Sequence, residues 1–570
     1  MAGSQTGQVR VVAQDPSVRD GADGPILTGL VSFPAEETRD GPSGHRVQVI
    51  DYDATTQTMY APARTGTATA QRSDEDIIGD PAFHALNVYG LVMSTLGRFE
   101  FALGRRVAWG FPGHQLKVVP HAFAVANAYY SPDSQALLFG YFDNGRGTTF
   151  TCLSHDIIVH ETAHALLDGL RGRFLKPSSP DQAAFHEGFA DIVALLSVFS
   201  MKEAVRRLID HAARDTSDSP PGEFVPTSAL RPRQLMNSAL FALAEEMAPR
   251  ADPGGIGALR RSVRLRPNPK CLDLLEFRDS HRRGEVLVAA MCRAFLEVWT
   301  RRLDSLAPGS SKLVDRSRAA EEGAGIADQL LTLAIRALDY TPPVHLLFGD
   351  FLSAALTADT EVRPNDDRYQ LRATLLRCFA SYGILPASGT ADGCWQRSDK
   401  QLRRTGVRFG SVQSDPTEMF RLIWANRTRL KLPVTAYSWV SDVRPCLRME
   451  PEDGLPVRET VATCIQHVQI TADQLGEYGL RKPAGMAGDV EVSLEGGSTL
   501  VLDEYGMLKF EISNRLPRPT DPSSCARAQT RLDYLHESGA FTKGITFRNR
   551  FANVHRLRAS AAASSRQEVW

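Results

Sequence analysis

The chain has 570 residues, 43% apolar and 23% charged, enough to bury large cores in about two to four domains and too apolar for a disordered polymer. Its net charge of −1 exerts no global pull on nucleic acid or an anionic membrane, and no run of about 18 apolar residues is present, so neither partner is expected. Eight cysteines are scattered without a C-x-x-C pair, and residues 1–7 lack a basic segment followed by an apolar one. Neither a disulfide framework, a thiolate zinc site nor a signal peptide is expected, which fits a reduced cytoplasm, with export by a signal-independent route or a mature form already without its signal as the alternatives.

Residues 1–25 are polar and rich in glycine and read as a flexible terminus. Residues 46–52 alternate in polarity and residues 58–60 follow the turn-like Asp53-Ala54-Thr55, which predicts a hairpin. From 84 to 103, Leu86, Val88, Tyr89, Leu91, Val92, Leu96 and Phe99 recur at helical spacing, and strands then run to about residue 142. Residues 150–385 read as mostly helical, with breaks at 217–222 and 307–311 and candidate helices at 234–247, 286–301, 326–338 and 369–382. After Ser388-Gly389-Thr390 helical patterns thin out, and residues 498–502 and 508–512 flank a turn, a second predicted hairpin. The basic residues Arg548, Arg550, His555, Arg556 and Arg558 read as solvated surface. The expected division is a β-rich lobe over 26–150, a helical lobe over 151–390, an accessory domain over 391–556 and a flexible tail over 557–570.

Chemistry concentrates at His160-Glu161-Thr162-Ala163-His164. On a helix, positions i and i+4 share a face, so His160 and His164 stand side by side as two ligands of one zinc ion would. Glu161 lies beside them with its carboxylate free to take a proton from a water the metal activates. At the chain's own His and Glu frequencies, chance matches to this pattern number on the order of 0.02. The apolar residues Ile157 to Val159 and Ala165 to Leu167 flank it, so the helix is buried, where two histidines and a glutamate without a metal would be costly. A second apolar helical stretch carries Phe185-His186-Glu187-Gly188-Phe189-Ala190-Asp191. Glu187 is the favoured third ligand over the adjacent His186, because Asp191 lies one turn on and can accept the outer ring N–H of a metal-bound histidine. The pattern H-E-x-x-H-x-x-G-x-x-H fails, since Leu167 and Leu170 occupy its last two fixed positions.

H-E-T-A-H followed by H-E-G-F-A-D resembles the thermolysin-type neutral metalloendopeptidases, gluzincins with Glu as third zinc ligand. Asn127-Ala128-Tyr129-Tyr130 and Leu137 to Tyr141 resemble that family's edge strand, where Asn127 and the backbone of Ala128 would hold an extended peptide. His281-Arg282-Arg283-Gly284 resembles its H-x-x-G segment, whose histidine stabilises the tetrahedral intermediate. Arg261 matches an arginine that contacts a substrate carbonyl. The resemblance covers roughly residues 95–385 and implies an α+β, zincin-type two-lobed core. It also implies a zinc cofactor and a peptide or protein substrate. Asp156 matches a family calcium ligand, but no acidic cluster follows Glu187 to complete that site.

A zinc aminopeptidase would need an anchor for a free amine, typically G-x-M-E-N before the metal helix, and none is present. A catalytically silent scaffold of the same fold is the other alternative, and the intact Glu161 argues against it.

Overall fold

The computed structural model of the chain describes residues 6–541 apart from 17–23, 144, 146, 177, 215–221, 242–257, 308–311, 367, 405, 407 and 450–455. The basic residues at 548–558, the tail at 557–570, most of the two helical breaks and the end of the candidate helix at 234–247 lie outside the described residues. Helices and strands are mixed along the chain, an α+β arrangement. No helix among the described residues is long and apolar enough to cross a membrane.

Strands β1 (Thr6–Val12) and β2 (Thr28–Pro34) pair antiparallel. Residues 6–12 are therefore ordered, against the expectation of a flexible terminus. Val9, Val11 and Val12 are buried, and a Cβ on Gly90 would strike the Val9 side chain. Close packing on a helix, which composition cannot reveal, holds the strand. The hairpin expected over 46–60 is divided in two. Strand β3 (Val47–Val49) leaves it for a larger sheet, and only β4 (Tyr52–Asp53) and β5 (Thr58–Met59) pair with each other. Residue alternation marks a strand but does not name a partner distant in sequence.

A short helix α1 (Asp74–Gly79) precedes α2 (Pro81–Leu103). The Asp80 side chain caps α2 by accepting from the Ala82 N–H, Pro81 opens it, and Gly104 at φ 66° closes it. Strands β6 (Leu116–Phe123), β7 (Ala128–Ser131), β8 (Ala136–Asp143) and β9 (Thr148–Phe150) complete a five-stranded sheet of order β3-β6-β8-β7, with β9 also on β8. Strands β3, β6 and β8 are mutually parallel, whereas β7 runs antiparallel to β8 at the sheet edge.

Helix α3 (His155–Arg171) follows directly, then α4 (Pro180–Phe199), α5 (Lys202–Arg214), β10 (Phe224–Pro226) and α6 (Pro232–Phe241). Next come α7 (Ala258–Arg264), α8 (Ser280–Leu306), β11 (Leu313–Asp315), α9 (Arg316–Ala337), α10 (Phe348–Val362) and α11 (Leu371–Ala380). Helix α4 is the axis of this part, buried along nearly its whole length and packed on α3, α8 and α9. It starts at a Ser179 cap that accepts from the Gln182 N–H, with Pro180 at its first position. Gly188 lets α8 come close: a Cβ there would sit 3.0 Å from the Gly284 carbonyl oxygen, and a Cβ on Gly284 3.2 Å from the Ala184 carbonyl oxygen. This glycine-on-glycine crossing sets the first turn of α8 against the middle of α4.

The C-terminal part holds α12 (Phe409–Val412), α13 (Pro416–Ala425) and an antiparallel meander of β12 (Tyr437–Met449), β13 (Pro456–Thr471), β14 (Glu491–Asp503) and β15 (Leu508–Asn514), followed by α14 (Pro522–Glu537). The C-terminal part has two apolar clusters of its own, formed by the meander with its flanking helices and connections, yet Val501, Phe510 and Ile512 belong to the large core shared with the helices before it. A buried ionic network crosses the same contact. Arg105 grips Asp339 with two bonds of 2.6 Å, Arg448 reaches both Asp339 and Glu459, and the Tyr340 hydroxyl donates to Glu459 at 2.7 Å. Burial alone would raise the Asp339 carboxyl, but Arg105, Arg448 and Arg171 hold it well below the usual carboxylate range. A composition shift after residue 390 does not reveal this joint packing.

Candidate metal centre

Helix α3 delivers His160, Glu161 and His164 to one buried spot, and α4, packed on it, delivers His186, Glu187 and Asp191. His160 Nε2 lies 3.7 Å from Glu187 Oε2 and His164 Nε2 lies 3.6 Å from Glu187 Oε1. These gaps are too long for hydrogen bonds. They suit ligands around an ion with bonds of about 2.0–2.1 Å, which stand roughly 3.3 Å apart when tetrahedral. Ligand atoms of all three residues lie within 4.8 Å of one another, and the donor set of two imidazoles and a carboxylate is one that holds a metal ion.

The outer ring nitrogens explain why the inner ones face the carboxylate. Asp191 Oδ1 lies 2.7 Å from His160 Nδ1, which fixes the ring N–H there and leaves the Nε2 lone pair directed at Glu187. His164 Nδ1 meets His186 Nδ1 at 2.8 Å. One of these nitrogens must donate and the other accept. With the proton on His164, its Nε2 lone pair also faces the carboxylate. The sequence set His186 against Glu187 as ligand, and the geometry gives the two residues different positions: Glu187 lies between both Nε2 atoms, and His186 lies behind His164. Burial alone would lower the His160 imidazolium, but Asp191, with Glu161 and Glu187 behind it, raises it. Three buried carboxylates around two imidazoles make a field that a bound cation relieves.

Glu161 stands outside the triad. Its Oε2 accepts the Tyr130 backbone N–H at 2.9 Å, tying the carboxylate to edge strand β7. Tyr130 also donates its hydroxyl to Asp168 at 3.0 Å, one turn beyond His164, and burial pushes the Asp168 carboxyl up to about 6. Neither Tyr130 contact could be found from the sequence, because the partners lie more than 30 residues apart.

Asn127 and Ala128 lead into β7 and are both buried. Asn127 Oδ1 has no hydrogen-bond partner among the described residues. His281 lies in the first turn of α8, and its side chain lies outside the described residues. Arg261, on α7, is 41% exposed and bound through its Nε to Glu285 Oε1 at 2.9 Å; Arg282 holds the other Glu285 oxygen. Arg261 is thus in an ion pair beside α8, and its partner Glu285, raised first by burial, lies near enough to Asp191 for that carboxylate to raise it further. Asp156 accepts the Ser154 hydroxyl at 2.5 Å and belongs to no metal-competent group among the described residues.

A second metal-competent group was not legible in the sequence at all: His84, His121 and Cys152, from α2, β6 and the turn before α3. No local motif links residues at these spacings. No protein-family model matches this chain, and no curated protein is significantly similar to it.

Proposed function

We propose that the chain is a zinc-dependent endopeptidase of the gluzincin kind on a two-lobed zincin core, with His160, His164 and Glu187 as the zinc ligands. The observation that carries this reading is the position of Glu161. It shares a helical turn with two histidines whose Nε2 atoms face Glu187, yet its own carboxylate is held by an edge-strand N–H instead. A metal site that needed only to be filled would have no use for a third, separately held carboxylate beside Glu187 and Asp191.

A zinc ion bound by these residues supplies Lewis acidity and makes water nucleophilic near neutral pH. Glu161 takes the proton of the attacking water and passes it to the leaving amine. The Tyr130 N–H orients that carboxylate and ties it to the strand along which a peptide would lie. Strand β7, at the sheet edge, aligns an extended substrate by β-augmentation, with Asn127 Oδ1 offering an acceptor and Ala128 the backbone. Asp191 and His186 orient the two ligand rings. His281 stabilises charge on the scissile carbonyl, and Arg261 contacts a substrate carbonyl once released from Glu285. Both of these assignments rest on the resemblance.

The test pairs metal analysis with digestion of an unstructured protein such as casein. Glu161→Gln keeps an acceptor for the Tyr130 N–H and removes only the base. It should retain the wild-type metal content while hydrolysis falls about 10²–10⁴-fold. Loss of metal from this variant, or near-normal hydrolysis, refutes the assignment. Wild-type protein that holds metal but releases no internal fragments would be a scaffold.

A further inference from the structure

We propose that His84, His121 and Cys152 form a second, structural site for a transition-metal ion of the zinc class, separate from the centre on α3 and α4. The argument is a proton inventory. His84 Nε2 lies 3.0 Å from the Ile77 carbonyl oxygen, an acceptor only, so that nitrogen carries the proton and Nδ1 carries a lone pair. His121 Nδ1 lies 2.8 and 3.0 Å from the two Asp51 oxygens, so it too carries a proton and Nε2 carries the lone pair. The remaining nitrogens, His84 Nδ1 and His121 Nε2, face each other at 2.8 Å. Two neutral rings would set lone pair against lone pair, so a cation must lie between them, either a shared proton or a metal ion.

Two further features favour the metal. Cys152 brings a sulfur within 4.8 Å of the ring nitrogens, a donor that a shared proton does not require. Each ring also has its outer N–H held by a backbone carbonyl or a carboxylate, the arrangement that orients metal-bound histidines. Two imidazoles and a thiolate suit zinc and its neighbours. Binding joins the two imidazoles and the Cys152 thiolate to the ion and releases to solvent both the thiol proton and the proton the two rings would otherwise share. Bonds of about 2.0–2.1 Å require the ring nitrogens to move apart by about half an ångström. All three residues are buried, and the rings of Phe150 and Tyr60 pack on the histidines with centroids 4.7 and 4.9 Å away. The ion would tie α2 and β6 to the turn that starts α3, fixing the base of the helix that carries the first centre.

Full-length chain produced in cobalt-supplemented medium provides the test, since the ion then enters during folding. Of the two metal-competent groups among the described residues, this one alone contains sulfur, so a thiolate-to-cobalt charge-transfer band in the near ultraviolet reports it regardless of the first centre. Wild type should show the band and two metal ions per chain. Cys152→Ala should lose the band and one ion, and Asp51→Asn should retain the band but release that ion to a chelator about 10–100-fold more readily. Wild-type protein with cobalt bound but no such band, or a band unchanged in Cys152→Ala, overturns the proposal and leaves the rings sharing a proton. Should Cys152→Ala fail to fold, the wild-type band alone decides.

Discussion

The adjacent pair His186 and Glu187 gives the sharpest test of the metal geometry. Glu187 spans both histidine Nε2 atoms, at 3.7 and 3.6 Å, whereas His186 meets the outer nitrogen of His164, at 2.8 Å. Replacing His186 by Ala removes the acceptor that fixes the His164 tautomer but leaves three ligands. Such outer partners contribute roughly 10–100-fold to metal affinity, or about 1.4–2.7 kcal/mol. Replacing Glu187 by Ala removes a ligand and opens the triad, so its loss should exceed that of His186→Ala. Glu187→Gln keeps the volume and controls for a packing defect between α3 and α4. Competition with a graded series of chelators, followed by metal analysis of the first centre, measures both losses. Zinc retention by Glu187→Ala alongside an empty His186→Ala would refute the assignment and make His186 the third ligand.

Asp191→Asn should keep its position beside His160 but lose the charge that orients the ring, weakening metal binding about 10–100-fold in the same chelator competition; unchanged affinity would show that Asp191 is only a packed helix residue. His155 is buried between the Val12 carbonyl and Ser197, and burial pushes its ring from 6.5 down to about 4. The folded chain therefore keeps this ring neutral while the unfolded chain protonates it. Stability should be full above pH 6.5 and fall by about 3 kcal/mol as pH drops to 4, a slope that His155→Gln should flatten in urea titrations; equal slopes would refute this linkage. Arg448→Met removes one cation from the buried carboxylates Asp339 and Glu459, which keep Arg105 and Lys509 as partners, and should destabilise the fold by about 1.5–3 kcal/mol, read from the urea midpoint. A chain ending near Gly389 loses Arg448 together with Val501, Phe510 and Ile512, and is expected to aggregate on size-exclusion chromatography; a soluble monomer with unchanged metal content would show that the meander is dispensable.

Helical periodicity alone placed His160 and His164 on one face with Glu161 beside them, because the i, i+4 relation is local and needs no knowledge of the rest of the chain. The same rule put Asp191 one turn from Glu187, and apolar spacing marked α2 within a few residues but only the later parts of α8 and α9, which begin at Ser280 and Arg316 rather than at 286 and 326. What the sequence by itself could not decide were contacts between residues distant in the chain. The separate positions of His186 and Glu187 depend on how α4 rolls against α3, and that is fixed in part by Gly188 meeting Gly284. The tie from Tyr130 to Glu161, the parallel pairing of β3 with β6, and the joining of the meander to the helices through Arg448 follow from packing alone. The cluster of His84, His121 and Cys152 is the extreme case. Its members have no spacing signature, since α2, β6 and the turn before α3 converge only when the apolar faces of all three bury one another.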